Sequence, residues 1–247
     1  MGGAGITDVG GAMKTIVFTD ATAVAHYAAS RVVVIACAAI QARGIFTIAL
    51  AGGASPRELY QLLATPEYSR QIDWAHTQVF WSDERCVLPD DDASNYNLAK
   101  TALLDHIPLP AANIHRIKGD LPPDVAVREY VAELLPYPAI DLILLGLGTD
   151  GHTASLFPGS PALQSADAVV AVFEPSLAVP HRITLTPSFI NAAAHRLFLV
   201  TGAAKAQILQ AVLAGPVKYP AQLITDAEWV VDVAVIRQNV AFSIHDK

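Results

Sequence analysis

The stretch from residue 140 to residue 158 reads IDLILLGLGTDGHTASLFP. Its first part, Ile140–Leu145, is an apolar run with the length and character of a strand buried on both faces of a sheet. Glycines follow directly and alternate with Thr149, Asp150 and His152. Because ligands bind beyond the carboxyl ends of parallel strands, polar groups in this position indicate a candidate functional site.

Similar apolar runs recur along the chain and alternate with helical patterns. Further strands are predicted at Thr15–Phe18, Ile45–Leu50, Gln78–Trp81, Ala168–Phe173, Arg196–Thr201 and Trp229–Val235. Helices are predicted from the N-cap Asp20 to Ala42, and at Pro56–Leu63, Asn95–Leu104, Pro123–Leu134 and Ala203–Leu213. This alternation indicates parallel strands with helices on both faces. We predict a single domain over residues 14–247 and a disordered or frayed Gly-rich leader over residues 1–13.

The composition excludes several classes of protein. The 247 residues carry 16 Lys and Arg against 23 Asp and Glu, a net charge of −7, and 53% are hydrophobic. A disordered chain is excluded, and nucleic acid is disfavoured as a partner. The apolar run Val32–Ile40 is shorter than the ~20 residues of a membrane helix, and no signal peptide is evident. Cys37 and Cys86 show no metal-type spacing and suit a reducing compartment. We expect a cytoplasmic protein that enters no membrane.

A glycine turn follows the second predicted strand. Gly52 and Gly53 allow a sharp bend and close approach of the backbone to a ligand. Ser55 and Glu58 match a capping box, and Pro56 suits the first helical position. The free N–H groups of such a helix start form an anion site suited to phosphate. A well-capped turn without a ligand is the alternative, and the pattern alone does not decide between them.

The charged run SDER at residues 82–85 ends the next strand. Arg85 could bind a phosphate or carboxylate through its two-pronged guanidinium group. Asp83 or Glu84 could hold that arginine or bind a sugar hydroxyl. The alternative is an ion pair within the loop, without a ligand.

The glycines of residues 146–151 match G-x-G-x-x-G, the dinucleotide-binding pattern, but the context is wrong. That pattern must open a long helix, whereas Pro158, Gly159 and Pro161 interrupt the chain here. We interpret the glycines as residues without a side chain that leave room for Asp150 and His152 to project from a tight loop. A histidine oriented by a carboxylate is the usual general base near pH 7. A histidine that only satisfies a structural hydrogen bond is the alternative.

Two basic residues follow later strands. Arg182 lies in PHRITLT at residues 180–186, and Lys205 lies where a strand gives way to a helix. A lysine in the first turn of a helix opposes the helix dipole unless an anion lies between them, so Lys205 hints at phosphate. A solvated lysine that accepts this small penalty is the alternative.

Taken together, these segments resemble the 6-phosphogluconolactonase family. The resemblance covers Thr15 to Val235, in the family's order. It rests on GGASP at 52–56, SDER at 82–85, Asn95, GTDGHTASLFP at 148–158, Arg182 and GAAK at 202–205. The string DGHTASLFP is highly specific, whereas the glycine turn is not. The resemblance implies a three-layer α/β/α fold with a mainly parallel, Rossmann-like sheet. It also implies a cytosolic, monomeric enzyme of the oxidative pentose phosphate pathway. That enzyme hydrolyses 6-phosphogluconolactone to 6-phosphogluconate without a metal or organic cofactor.

The related glucosamine-6-phosphate deaminase is the nearest rival. Its run continues His-Ile-Ala-Phe-Asn-Glu-Pro, and its glutamate helps the acid/base group that opens the sugar ring. Here Phe157 takes that position, and Arg85 stands where deaminases have tyrosine. A sugar-phosphate sensor without turnover is a candidate from another class. Only about 13 residues precede the first strand, too few for the helix-turn-helix usual in such sensors, and Asp150 and His152 are intact. Both rivals are therefore less favoured than the lactonase.

Hydrolysis of a lactone needs an activated water, a stabilised oxyanion and a protonated leaving oxygen. We expect His152 to take the proton from water and later return it to the ring oxygen, and Asp150 to orient the imidazole or stabilise its cation. The predicted substrate-binding residues are Gly52, Gly53, Ser55, Asp83, Arg85, Arg182 and Lys205. Within this set Arg85, Lys205 and the glycine turn are expected to hold the phosphate, and Arg182 to contact the phosphate or the developing carboxylate.

Overall fold

The computed structural model describes residues 13–236. The strands are β1 Lys14–Phe18, β2 Phe46–Leu50, β3 Thr77–Trp81, β4 Asp83–Arg85, β5 Leu142–Leu145, β6 Val169–Phe173, β7 His181–Leu185, β8 His195–Val200 and β9 Glu228–Asp232. The α-helices are α1 Ala21–Arg43, α2 Ala54–Leu63, α3 Pro66–Ser69, α4 Asn95–Ala102, α5 Pro123–Leu134, α6 Pro187–Asn191, α7 Ala206–Ala214 and α8 Val233–Ile236. Every predicted helix has a counterpart among them.

A parallel six-stranded sheet forms the centre of the molecule. Its strand order is β1-β9-β8-β5-β2-β3, and helices cover both of its faces. Strands β2 and β5 are buried along their whole length, as continuous apolar runs require. Phe198 of β8 and Trp229 of β9 stack with their ring centroids 3.8 Å apart in the core. The predicted fold class, three layers around a mainly parallel sheet in a single domain, is confirmed.

A second, three-stranded antiparallel sheet corrects one prediction. Its order is β4-β7-β6, so the predicted strand at Ala168–Phe173 lies here as β6 and not in the parallel sheet. Its outward residues, including Phe173, are exposed, as in a strand with one solvated face. Strands β4 and β7 were not predicted, because both are short and carry charged residues in place of an apolar run.

The first helix follows the sequence signals closely. The Asp20 side chain accepts a hydrogen bond from the Ala23 N–H at 2.8 Å, and Gly44 ends the helix with a φ of 77°. Among residues 13–236, α1 is the one helix long and apolar enough to cross a membrane by length and composition. Ala28, Ala29 and Ala36 on its inner face are fully buried in the core. A buried core helix can have the same length and apolar composition as a membrane-spanning helix, so this test does not distinguish the two. The predicted absence of membrane contact therefore stays a prediction.

Two chain ends differ from the predicted boundaries. Residues 1–12 and 237–247 lie outside the described residues, so the leader and the end of the domain stay predictions. Met13, assigned to the leader, is half-buried against the core. The strand predicted to run to Val235 ends at Asp232, where the chain turns into the short α8.

Candidate active site

Loops that follow β2, β3, β5 and β8 meet at the carboxyl edge of the parallel sheet. Together with the second sheet they line a cleft of about 390 Å³. All the predicted site residues except Asp150 line this cleft: Gly52, Gly53, Ser55, Asp83, Arg85, His152, Arg182 and Lys205. The topology therefore brings together residues that are 153 positions apart in the chain, from Gly52 to Lys205.

A larger cavity, of about 690 Å³, lies at the opposite edge of the sheet. It contains none of the predicted site residues. Its buried acid, Glu228, already accepts hydrogen bonds from Lys14 and from the Tyr27 hydroxyl. These partners and Arg31 outweigh the effect of burial and hold the pKa of Glu228 below its usual range. We take the smaller cleft as the candidate site, because the predicted polar and charged residues converge there and not in the larger cavity.

Asp150 orients the imidazole of His152. Its Oδ1 lies 2.6 Å from His152 Nδ1 and accepts the His152 backbone N–H at 3.1 Å. Burial acts to raise the pKa of Asp150, but the hydrogen bonds and the charge of His152 outweigh it and lower that pKa. An ionised carboxylate only accepts hydrogen bonds, so Nδ1 carries a proton and Nε2 of the neutral ring holds a lone pair. This geometry fixes the tautomer and leaves Nε2 of the neutral ring available to accept a proton.

The glycines around this dyad have structural causes. A Cβ added at Gly148 would lie 2.1 Å from His152 Nδ1, so no other residue leaves room for the ring. Gly151 has a φ of 85°, and a Cβ there would lie 2.5 Å from the Tyr219 ring. After this loop only a short 3-10 helix, Pro161–Gln164, precedes β6. The rejection of a dinucleotide-binding loop is consistent with this geometry.

Arg85 and Arg182 lie side by side on neighbouring strands of the second sheet. They are register partners of the antiparallel pair β4–β7. Each gives one hydrogen bond to a backbone carbonyl, Arg85 to Ala93 and Arg182 to Val179. Within the described residues neither forms an ion pair. Burial, together with the charge of Arg85, lowers the pKa of Arg182. Like charges directly opposite are unfavourable, so this pair is suited to an anion bound between them.

Glu84 does not hold the Arg85 side chain, contrary to one of the expected roles. It is buried, and its oxygens accept hydrogen bonds from the Asn95 and Tyr96 N–H groups, both at 2.7 Å. The Ser94 hydroxyl donates a third at 2.9 Å. Burial raises the pKa of Glu84 despite these bonds. This carboxylate stabilises the start of α4.

The glycine turn differs in detail from the predicted capping box. Helix α2 begins two residues earlier than predicted, at Ala54, with Gly53 in place of Ser55 as N-cap, at a φ of 102° and without a side-chain cap. Ser55 therefore lies inside the first turn, where its hydroxyl is 2.8 Å from the Thr201 hydroxyl. Gly52 packs against Asn95, whose Oδ1 would be 1.8 Å from an added Cβ. The start of this ten-residue helix opens into the cleft.

Lys205 lies immediately before α7 rather than inside its first turn. It ends a short 3-10 helix, Ala203–Lys205, and α7 begins at Ala206. Burial lowers the pKa of Lys205, while the charge of Asp150 acts in the opposite direction. A partly desolvated ammonium at a helix start is suited to an anionic ligand.

Asp83 is the predicted ligand residue with the least access to the cleft. It is 5% exposed. Its Oδ2 accepts from the Ser155 hydroxyl at 2.7 Å and its Oδ1 from Asn95 Nδ2 at 3.0 Å. A direct contact with a sugar hydroxyl stays a prediction.

Several cleft residues were absent from the predicted site. Asn95, Thr149 and Thr201 line the cleft, and Ser155 supports it from within the protein. Thr149 and Thr201 could have been identified, because each follows an apolar strand on the edge that carries the other polar groups. Among residues 13–236 there is no group of three or more His, Cys, Asp or Glu side chains that could hold a metal ion.

Comparison with known proteins identifies the family. A family model described as glucosamine-6-phosphate isomerases/6-phosphogluconolactonase matches residues 19–232. A 6-phosphogluconolactonase of Nostoc sp. is 40% identical over 211 residues, which cover 79% of this chain and 85% of the relative. A 6-phosphogluconolactonase of Haemophilus influenzae is 38% identical over 200 residues, which cover 77% and 86%.

Solved structures agree with these relatives. The 6-phosphogluconolactonase of Trypanosoma brucei has a TM-score of 0.81 at 26% identity, over 92% of this chain and 98% of that protein. A monomeric glucosamine-6-phosphate deaminase has a TM-score of 0.78 at 21% identity, over 90% and 98%, and shares the fold. The chain therefore belongs to the family of glucosamine-6-phosphate isomerases and 6-phosphogluconolactonases.

Proposed function

We propose that this protein hydrolyses 6-phospho-D-glucono-1,5-lactone to 6-phosphogluconate in the oxidative pentose phosphate pathway. The observation that carries the proposal is the presence, in one cleft, of three cationic side chains and of His152, whose ring is held by Asp150 beside the cleft. The names of the relatives at 38% and 40% identity support the same reaction. We further propose that the protein acts in the cytoplasm as a monomer.

His152 acts as the general base. Its Nδ1 is held by Asp150, so Nε2 takes the proton from the water that attacks the lactone carbonyl carbon. The Asp150 carboxylate stabilises the imidazolium that forms. The same nitrogen then returns the proton to the ring oxygen as the carbon–oxygen bond breaks. The water supplies the hydroxyl of the new carboxylic acid, which then loses its proton to solvent, so the reaction needs no covalent intermediate.

The phosphate is held by the cations and the glycine turn. Arg85 and Arg182 share one anion because they are cross-strand partners. Lys205 and the N–H groups at the start of α2 line the same cleft and bind the same anion. Binding energy from this remote group orients the carbonyl carbon against the activated water. Phe157, which packs against the His152 ring at 4.8 Å, provides no third carboxylate for ring-opening chemistry.

The test is acid release from freshly generated lactone, with spontaneous hydrolysis subtracted. We expect the wild-type protein to accelerate the reaction and His152→Gln to lose roughly 10²–10⁴-fold in kcat, the usual contribution of a general base. His115, whose ring nitrogens already bond Glu133 and Gln78, is a matched control, and His115→Gln keeps its activity. A wild-type protein without activity, or a His152→Gln variant with normal turnover, contradicts the proposal.

A further inference from the structure

Two adjacent buried carboxylates, Asp83 and Glu84, both contact the start of α4, but of the two, within the described residues, Asp83 alone also accepts a hydrogen bond from the loop after β5. Glu84 accepts its hydrogen bonds from the start of α4 and from its own neighbour in the chain. Asp83 instead joins two separate segments, because Asn95 of α4 and Ser155 of the loop after β5 both donate to it. The two carboxylates are nearly equally buried, at 5% and 3% exposure. They therefore differ mainly in what they connect.

Ser155 lies three residues after His152, in a tight turn that needs support. The Leu156 N–H donates to the Thr153 carbonyl at 2.9 Å, and Ala154 between them has a φ of 48°. A left-handed conformation in a residue with a Cβ is strained and persists only where its surroundings enforce it. Ser155 is fully buried, and its hydroxyl donates to Asp83 Oδ2 at 2.7 Å. A hydrogen bond to a buried carboxylate is among the stronger ones available to a neutral donor.

Asn95 connects Asp83 to the glycine turn. Its Nδ2 donates to both the backbone carbonyl and Oδ1 of Asp83, at 2.9 and 3.0 Å. Its Oδ1 packs so closely on Gly52 that an added Cβ there would be 1.8 Å away. The network Ser155–Asp83–Asn95 therefore joins the loop that carries His152 to the turn that opens the anion site.

We infer that Asp83 is a positioning residue of the reaction, which acts through Ser155 on the loop of His152 rather than by binding substrate. The inference rests on the proposed lactonase function. Asp83 fixes the distance between the imidazole and the phosphate-binding turn, and therefore the alignment of the activated water with the carbonyl carbon. Misplacement by about 1 Å can cost roughly 100-fold in rate without loss of binding energy.

The test compares two buried serines that each donate to one of the paired carboxylates. Ser155→Ala removes the bond to Asp83. Ser94→Ala removes the bond to Glu84 and also the cap that Ser94 Oγ provides by accepting the Asn97 N–H of α4. Since a displaced imidazole loses rate rather than affinity, we expect Ser155→Ala to lower kcat roughly 10–100-fold. The Kd of 6-phosphogluconate stays within about 2-fold, because the cations do not move. Ser94→Ala lowers Tm comparably but leaves kcat within about 2-fold, because Glu84 does not contact the His152 loop.

Asp83→Asn provides the second variant. We expect it to match Ser155→Ala in kcat and product affinity, and the double variant to be no slower than the slower single one, because both act through one contact. If Asp83→Asn weakens product binding as much as it lowers kcat, Asp83 binds the sugar directly and the inference is wrong. Equal kcat losses in Ser94→Ala and Ser155→Ala overturn it as well, since the effect is then general destabilisation.

A readout without turnover separates this inference from the proposed function. The NMR signals of the His152 ring should shift in Ser155→Ala and stay in place in Ser94→Ala, whether or not the protein hydrolyses the lactone. Wild-type protein that lacks lactonase activity contradicts the proposed function alone. Ring signals that do not move in Ser155→Ala contradict the positioning role alone.

Discussion

Gly148→Ala tests how closely the loop is fitted to the imidazole. The added methyl carbon would lie 2.1 Å from His152 Nδ1 and 2.2 Å from Cε1. Ordinary contact needs more than about 3.4 Å, so the ring must retreat by about 1 Å or more. A displacement of that size costs roughly 100-fold in rate, which corresponds to about 2.7 kcal/mol of transition-state stabilisation. The backbone at Gly148 does not have a positive φ, so alanine adds no conformational strain.

The assay is steady-state hydrolysis of freshly generated lactone, with the Kd of 6-phosphogluconate measured by calorimetry. We expect kcat to fall about 100-fold while product affinity changes by less than about 3-fold, because the cations lie on other elements. Gly146→Ala is the matched control, since a Cβ there meets nothing within 4 Å and its φ is not positive. A Gly148→Ala variant with near-normal kcat, or one no slower than Gly146→Ala, would refute the placement of the ring.

Three further predictions concern the charges of the cleft. Lys205→Ala should raise KM about 10-fold or more with a smaller change in kcat, as expected for loss of a remote phosphate contact; unchanged KM would remove Lys205 from the phosphate site. Arg182→Gln should weaken 6-phosphogluconate binding at least about 10-fold. The Tm of the ligand-free variant should stay the same or rise slightly, because the repulsion from Arg85 is relieved. A large loss of Tm would contradict this prediction. The lowered pKa of Asp150 means that its ionised form stabilises the folded state above the unfolded pKa, near 4, and that this stabilisation is lost as pH falls through the folded value. The difference in unfolding free energy between wild type and Asp150→Asn, measured by urea titration, should therefore be full above about pH 5 and shrink below about pH 4. A difference that does not depend on pH would be inconsistent with stabilisation by the ionised Asp150 carboxylate.

Local sequence patterns predicted all six strands of the parallel sheet and the longer helices on its faces, but not the strand order. Continuous apolar runs such as Leu142–Leu145 can be buried only between two layers of helices, and Asp20 and Gly44 mark the ends of α1 through their backbone preferences. The edge that carries the chemistry followed from the same patterns, because polar groups come directly after those strands. Asp150 and His152 were identified because they are two residues apart in one loop, so their contact is local.

The remaining features depend on contacts between residues far apart in the chain. Arg85 and Arg182 become partners only through the pairing of β4 with β7. These two strands are short and carry charged residues, so neither forms the apolar run that identifies a buried strand in a sequence. The role of Asp83 depends on a hydrogen bond to Ser155, 72 residues away, and the fit of Gly148 against the imidazole depends on a ring orientation set by Asp150. Sequence periodicity records which face of an element is buried, and so it determined the layers of this protein. Which side chains meet across those layers is decided by register and packing, and only the tertiary structure contains that information.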